Sequence, residues 1–279
     1  MIDVDVAHIA PISRTRWSAV RRLTVKKGRE NADQFLVDGV QATREALRYG
    51  DAEFLIVAEA LCYALDHWEP GTLLPPQLRG VAALLTEAAR RGVPVVSVTE
   101  AEDRQISDAV NPQGIFAVCP RRHFALSEVN DPQLVVICAA VRDPGNAGTI
   151  IRAADAFGAD VVVFTSDSVE VENAKTVRAS VGSLFHLPVI QDVPFETAAA
   201  WAKTAGMQLL VADTGGQMLT DVSLNAPTAW VFGNEAWGVT PDILAWADAS
   251  VSVPMFGLAE SLNVAAAAAV CLYATATAK

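Results

Sequence analysis

Cysteine, histidine and long apolar runs are all scarce in this chain. Of its 279 residues only four are cysteine and four histidine. Cys62, Cys119, Cys138 and Cys271 are scattered, with no C-x-x-C pair and no metal-ligand spacing, which argues against a disulfide framework or a structural zinc site. His8, His67, His123 and His186 stand apart from one another, so no metal is expected, and His186 between Phe185 and Leu187 reads as a packed or capping residue. The longest uncharged stretch, Ser261 to Ala278, is rich in alanine and falls short of the roughly 20 strongly apolar residues of a membrane span. It reads as a buried helix, and no membrane partner is expected. The first dozen residues carry Asp3, Asp5 and His8 and lack the apolar core of a signal peptide, so a reducing cytoplasm is the expected compartment. Common catalytic signatures are missing too: no phosphate loop, no G-x-S-x-G elbow, no H-E-x-x-H and no G-x-G-x-x-G fingerprint.

What is present is apolar and acidic. A hydrophobic fraction of 52% supplies a packed core, and this length suits one large domain or two ordinary ones. The formal net charge is −11, yet seven of the 21 basic residues fall between Arg14 and Arg29. Arg14, Arg16, Arg21, Arg22, Lys26, Lys27 and Arg29 make a basic segment with no acid from Ala7 onward. It is either a solvated helix face or a phosphate-contacting edge that steers nucleic acid onto an acidic body.

Punctuation by glycine and proline predicts two α/β domains. In the first, residues 1–120, the apolar run Phe35–Gly39 precedes a helix over 40–48 and a strand over 54–58. A loop through Pro70, Gly71, Pro75 and Pro76 leads to a helix over 78–91 and a strand over 93–98, a pattern that predicts a partly parallel sheet. The polar, proline-flanked residues 121–132 read as a linker. In the second domain, residues 133–279, near-continuous apolar strands are expected at 134–140, 161–165, 208–212, 229–232 and 251–253. Helices are expected at 147–157, 195–204 and 262–275. Such strands suit a parallel sheet buried on both faces, here of about five strands.

Three polar clusters each follow a strand of the second domain. The first is Arg142-Asp143-Pro144-Gly145-Asn146 with Arg152 on the helix beyond. The second is Gly233-Asn234-Glu235-Ala236-Trp237-Gly238. The third runs from Val253-Pro254-Met255 to Ser261-Leu262-Asn263-Val264. Turn glycines, a capping Asn146 and an N-capping Ser261 would account for each separately. Together, at the carboxyl ends of parallel strands, they predict a binding crevice. An unpaired buried guanidinium is costly, so Arg152 must reach solvent, pair with an acid, or serve the site.

In these motifs, and over nearly its whole length, the chain resembles the SpoU/TrmH-type RNA ribose 2′-O-methyltransferases of the SPOUT superfamily. Val177-Arg178-Ala179-Ser180-Val181-Gly182 is also similar to that family. Phe35–Gly39 and Pro112-Gln113-Gly114 resemble landmarks of the L30e-like RNA-binding domain that many members carry. The departures are Asp38 in place of the usual glutamate and the bulky Trp237 inside the second motif. The resemblance implies a deep trefoil knot, a rare exception among folds, in the C-terminal domain. It also implies S-adenosyl-L-methionine as cofactor, a homodimer with its site at the subunit interface, and structured RNA as partner. Ribosomal RNA of the large subunit (23S) is favoured; transfer RNA, or an RNA-binding assembly protein without catalysis, are the alternatives. By the same resemblance the catalytic set is Arg152, Asn146, Glu235, Ser261 and Asn263. Arg152 lies nearest the 2′-hydroxyl, Asn146 positions Arg152 or the ribose, and Glu235 pairs with a guanidinium or lies near the sulfonium. The cofactor-contacting set is Gly233, Asn234, Gly238, Val253, Met255 and Leu262.

Overall fold

The computed structural model describes residues 6–69 and 72–278; the Pro70-Gly71 part of the loop read from the sequence lies outside them. The chain divides into two compact units, Met1–Arg122 and His123–Lys279.

The first unit has the element order α1 (Arg14–Arg22), α2 (Lys26–Ala32), β1 (Gln34–Asp38), α3 (Val40–Tyr49), β2 (Phe54–Ala58) and α4 (Glu59–Asp66). It continues through α5 (Pro76–Arg91), β3 (Val95–Val98), α6 (Glu100–Ile106) and β4 (Ile115–Pro120). The sheet order is β1-β4-β2-β3, with β2 and β3 parallel and both β4 pairings antiparallel. Outside β3 the N-terminal segment adds a short parallel bridge, Ile12 N–H donating to the Ser97 carbonyl at 2.9 Å, which covers that edge. Phe54, Ile56, Val96, Val98, Phe116 and Val118 form one core face with Val20 and Leu23. Helices α3 and α5 pack together, and their buried residues include Ala46, Leu47, Val81 and Leu85.

The basic segment forms two helices rather than one. Helix α1 starts where the Ser13 side chain accepts the Arg16 N–H at 3.3 Å. Arg14, Arg16, Arg21, Arg22, Lys26 and Lys27 are all exposed. Arg29 is a correction to the expected basic face: it is 4% exposed and its Nη1 donates to the Leu23 carbonyl at 2.9 Å. It staples the break between α1 and α2, because a buried carbonyl at a helix end needs a donor.

The second unit contains β5 (Leu134–Cys138), α7 (Pro144–Ala156), β6 (Val161–Thr165), α8 (Ala174–Ser180) and β7 (Val189–Val193). After them come α9 (Phe195–Thr204), β8 (Gln208–Met218), β9 (Thr228–Phe232), α10 (Pro241–Leu244), β10 (Ala249–Ser252) and α11 (Val264–Ala278). All strands are parallel, in the order β10-β8-β9-β5-β6-β7. The sheet has six strands rather than about five. Sequence patterning misses β7 because it is an edge strand whose Gln191 and Asp192 interrupt the apolar run. On one face Ala198, Ala199 and Ala202 of α9 pack on the sheet, joined by Phe124, Leu126 and Val129. The segment just before β5 is thus held to this unit by its apolar side chains. On the other face α11 packs against α7 and β9, and the buried Trp230 donates Nε1–H to Thr275 Oγ1 at 2.9 Å.

Helices α7 and α8 approach so closely at Gly148 that an added Cβ would lie 2.4 Å from the Thr176 carbonyl oxygen. That approach explains the segment 177–182: Val177 and Ser180 are buried, then Val181 (φ 53°) and Gly182 (φ 97°) turn the chain out of α8. Among the described residues no helix is long and apolar enough to cross a membrane.

One carboxyl of the first unit opposes folding. Asp103 is 8% exposed and its Oδ1 has no hydrogen-bond partner among the described residues. Burial, with the Asp38 carboxylate nearby, pushes its carboxyl upward. A carboxyl raised in the folded state favours folding only while protonated, so that contribution is lost as pH rises through the folded value. Asp103→Asn is expected to stabilise the protein by about 1 kcal/mol at pH 7, with the gain shrinking towards pH ~4, near the unfolded value. Thermal melts at the two pH values check this; a pH-independent change would refute it.

Candidate active site

Because every strand of the second sheet is parallel, the loops after β5, β9 and β10 all emerge at its C-terminal edge, where α/β sheets gather ligands. Each loop is locally pinned. After β5, Ala140 takes a positive φ of 57° and its N–H donates to Thr165 Oγ1 at 3.0 Å. Asp143 then caps α7, its side chain accepting the Asn146 N–H at 2.8 Å, with Pro144 at the first helical position. After β9, Asn234 and Gly238 exchange two main-chain hydrogen bonds of 2.9 Å. Asn234 Nδ2 donates to the Ala140 carbonyl at 2.7 Å, so the buried Asn234 ties the second loop to the first.

A hydrogen-bonded chain joins all three loops. Glu235 accepts the N–H groups of Arg142 (3.3 Å) and Asp143 (3.0 Å) and the Asn146 Nδ2 (3.1 Å). Asn146 Oδ1 in turn accepts from Asn263 Nδ2 at 3.0 Å. Asn263 Oδ1 accepts the N–H groups of Ala265 (2.9 Å) and Ala266 (3.3 Å), opening α11. Partial burial pushes the Glu235 carboxyl upward, but the Asn146 side chain and the main-chain amides outweigh it and hold it below the ordinary glutamate range. The Asn146 amide, helped by Lys175 Nζ at 3.1 Å, likewise keeps Asp143 low.

Several expected roles change in this arrangement. Asn146 does not cap α7; Asp143 does, because its side chain precedes the first turn. Ser261 does not cap α11 either; Asn263 does, and Ser261 is exposed on the loop. Glu235 takes N–H groups rather than a guanidinium. Asn146 does not hold Arg152, since six helical residues rotate by about 240° and place the two on different faces. Arg152 is exposed, with no hydrogen bond or ion pair to any described residue; it shares a face with Thr149 and Gly145. Of the remaining residues, Gly233 is a packing position, where a Cβ would lie 2.5 Å from the Gly238 oxygen, and Gly238 has φ 67°. Val253, Met255 and Leu262 line the third loop, the last two 37% and 38% exposed.

Two pairings escape sequence reasoning. Lys175, 32 residues from Asp143, carries no local signal. Arg142, whose guanidinium lies 5.0 Å from the Trp237 ring centroid, meets a residue 95 positions away. The Asp-Pro pair at 143–144, by contrast, is a legible helix start. Among the described residues no three His, Cys, Asp or Glu side chains are grouped to hold a metal.

A parallel sheet with three interlocked loops at its C-terminal edge is the arrangement in which α/β proteins bind their ligands. The SpoU rRNA Methylase family matches residues 133–273, and the MRM3-like substrate binding domain matches residues 17–117. The 23S rRNA (guanosine(2553)-2′-O)-methyltransferase RlmP of Bacillus subtilis is 32% identical over 257 residues, 91% of this chain and 92% of that protein. The 23S rRNA (uridine(2479)-2′-O)-methyltransferase of Streptomyces viridochromogenes is 30% identical over 271 residues, 92% of each chain. The AdoMet-bound rRNA methyltransferase structure from Sinorhizobium meliloti superposes with a TM-score of 0.76 at 27% identity, covering 96% of both chains. The chain belongs to the SpoU rRNA methylase family.

The depressed Glu235 carboxyl yields a test of the interlock. A carboxylate lowered by native hydrogen bonds stabilises the fold above its unfolded value, and the effect is lost as pH falls through the folded one. Glu235→Gln is expected to lower stability at pH 7 by under about 1 kcal/mol, since solvent screens an exposed carboxylate, the difference closing below pH ~4. Thermal melts across this range measure it, and a constant deficit would mean that the charge does not hold the loops.

Proposed function

We propose that this protein transfers a methyl group from S-adenosyl-L-methionine to a ribose 2′-hydroxyl of structured RNA, with large-subunit ribosomal RNA as the favoured substrate. The observation that carries the reading is the Glu235–Asn146–Asn263 chain, which draws three loops together at the start of the helix that carries the exposed Arg152. The cofactor fits the third loop by its chemistry. Met255 and Leu262 offer half-exposed apolar surface for an adenine. The main chain of residues 254–262 makes no main-chain hydrogen bond among the described residues, so its polar groups are available. Val253, Met255 and Leu262, with Gly233, Asn234 and Gly238, are the residues that hold it in this reading. When bound, S-adenosylmethionine supplies an electrophilic methyl on a positively charged sulfur.

Arg152 orients the ribose hydroxyl and stabilises charge developing on its oxygen as its proton passes to solvent water. A guanidinium carries donors only and is a poor base, so this electrostatic role is the one assigned. Asn146, fixed by Glu235 and Asn263, sets the position of the α7 N-terminus and thereby of Arg152. Ser261, exposed beside Asn263, is free to hold the substrate. Alignment of two bound reactants supplies much of the rate gain. No metal enters this scheme.

The remaining proposals rest on the same family. The second unit ties a trefoil knot, supported by the path from edge strand β10 back to the central loops. The protein works as a homodimer, supported by the exposed Val270 and Tyr273 on α11. The setting is the cytoplasm, where ribosomal RNA is modified. The RNA is gripped by the first unit, whose six exposed bases on α1 and α2 offer partners for phosphates; recognition is of structured RNA by shape.

Two measurements test this. Labelled methyl from S-adenosylmethionine should enter ribosomal RNA as alkali-resistant dinucleotides, and Arg152→Ala should reduce transfer at least about a hundredfold while cofactor binding persists. Near-normal transfer would remove Arg152 from the mechanism. Neutralising Arg21, Arg22, Lys26 and Lys27 together should weaken RNA binding and flatten its dependence on log salt by about 0.7–0.9 for each phosphate no longer neutralised. An unchanged slope would make α1 and α2 a solvated face.

A further inference from the structure

Five of the six tryptophans are occupied by folding. Trp17 packs on the core of the first unit, and Trp201 and Trp246 on that of the second. Trp230 is fully buried, and Trp68 donates Nε1–H to the Thr72 carbonyl at 3.3 Å. Trp237 is different. It is 54% exposed, and although its neighbour Val239 packs on the core, Trp237 does not.

Its support is nevertheless rigid. The turn that carries it is closed by the two Asn234–Gly238 main-chain bonds and by Ala236 N–H donating to Asn234 Oδ1 at 2.8 Å. The Arg142 guanidinium covers one side of the indole, while the Arg142 N–H is held by Glu235. Trp237 is therefore fixed at the rim of the Glu235–Asn146–Asn263 cluster, with much of its surface open and a cation on one side.

We propose that Trp237, backed by Arg142, is a platform on which a nucleobase of the RNA substrate stacks beside the reacting ribose. An indole more than half exposed contributes little to a core, whereas an exposed aromatic with an adjacent guanidinium is the combination that binds unpaired bases. Stacking is tolerant of base identity because every base has a π-face. Trp237 thus orients the nucleotide without choosing it. The inference rests on the proposed methyl transfer to RNA.

The full chain is compared as wild type, Trp237→Ala and Trp237→Phe, with transcribed large-subunit ribosomal RNA and labelled S-adenosylmethionine. Trp237→Ala should raise the KM for RNA about tenfold or more, leave cofactor affinity unchanged, and be largely rescued by Trp237→Phe. Tryptophan emission gives an independent reading. RNA should quench the wild type by an amount that disappears in Trp237→Phe, which keeps the test open if the alanine variant folds poorly. A wild-type KM in Trp237→Ala, or equal quenching in wild type and Trp237→Phe, would overturn the platform. So would a changed sedimentation coefficient of Trp237→Ala, which would assign the indole to an interface between copies of the chain. If the wild type methylates no RNA yet shows the Trp237-dependent quench, the reaction fails and the platform stands.

Discussion

The candidate site depends on one carboxylate. Glu235 sits on the loop after β9 and takes N–H groups from the loop after β5. Through Asn146 it reaches Asn263, at the end of the loop after β10. Segments as far apart in the chain as residues 146 and 263 are thereby fixed to one another. Asn146 and Asn263 are short and lose little rotamer freedom on being fixed, while ordering Glu235 costs more. The charged acceptor makes its hydrogen bonds stronger than neutral ones. Both helix starts at the site, α7 and α11, are set by the same network.

That concentration of bonds leaves other groups uncommitted. Asn146, Glu235 and Asn263 are committed to architecture, whereas Arg152, Ser261 and the main chain of the third loop are not. A reactive centre needs such a division: rigid residues that hold geometry and unpaired residues aimed at what arrives. Trp237 follows the same logic one step further out, displayed on a turn closed by backbone bonds and flanked by Arg142. The two named relatives bear names that specify a guanosine in one case and a uridine in the other, and they align with 91% and 92% of this chain. The ribose-directed groups and the base-tolerant surface proposed above are compatible with that difference.

The two units use their charge differently. The acidic body dominates the net charge, yet α1 and α2 expose six basic residues. Arg29, which the sequence groups with them, is withdrawn to close a helix break. Buried charge persists only when it is satisfied, and the Leu23 carbonyl provides part of that satisfaction. Asp103 is the opposite case, a carboxyl buried with one oxygen unpartnered.

The sequence by itself determined the elements whose signal is local. The continuous apolar runs of β5, β6 and β9 declared a parallel sheet, since only strands covered on both faces can be apolar throughout. The three polar clusters, in their order, carried the resemblance to the family to which the chain belongs. What is not local was decided only by the tertiary structure. The edge strand β7 escaped because its polar residues break the pattern. The cap of α11 fell to Asn263 rather than to Ser261, because the backbone direction entering a helix is set by its packing, whereas the Asp143 cap of α7 is signalled locally by the Asp-Pro pair. Arg29 left the surface for the same kind of reason. Above all, the pairings Glu235–Asn146, Asn146–Asn263 and Arg142–Trp237 link residues about 90 to 117 apart. Nothing in the chain's local chemistry specifies such pairings; they exist because parallel strands deliver their loops to one edge of the sheet.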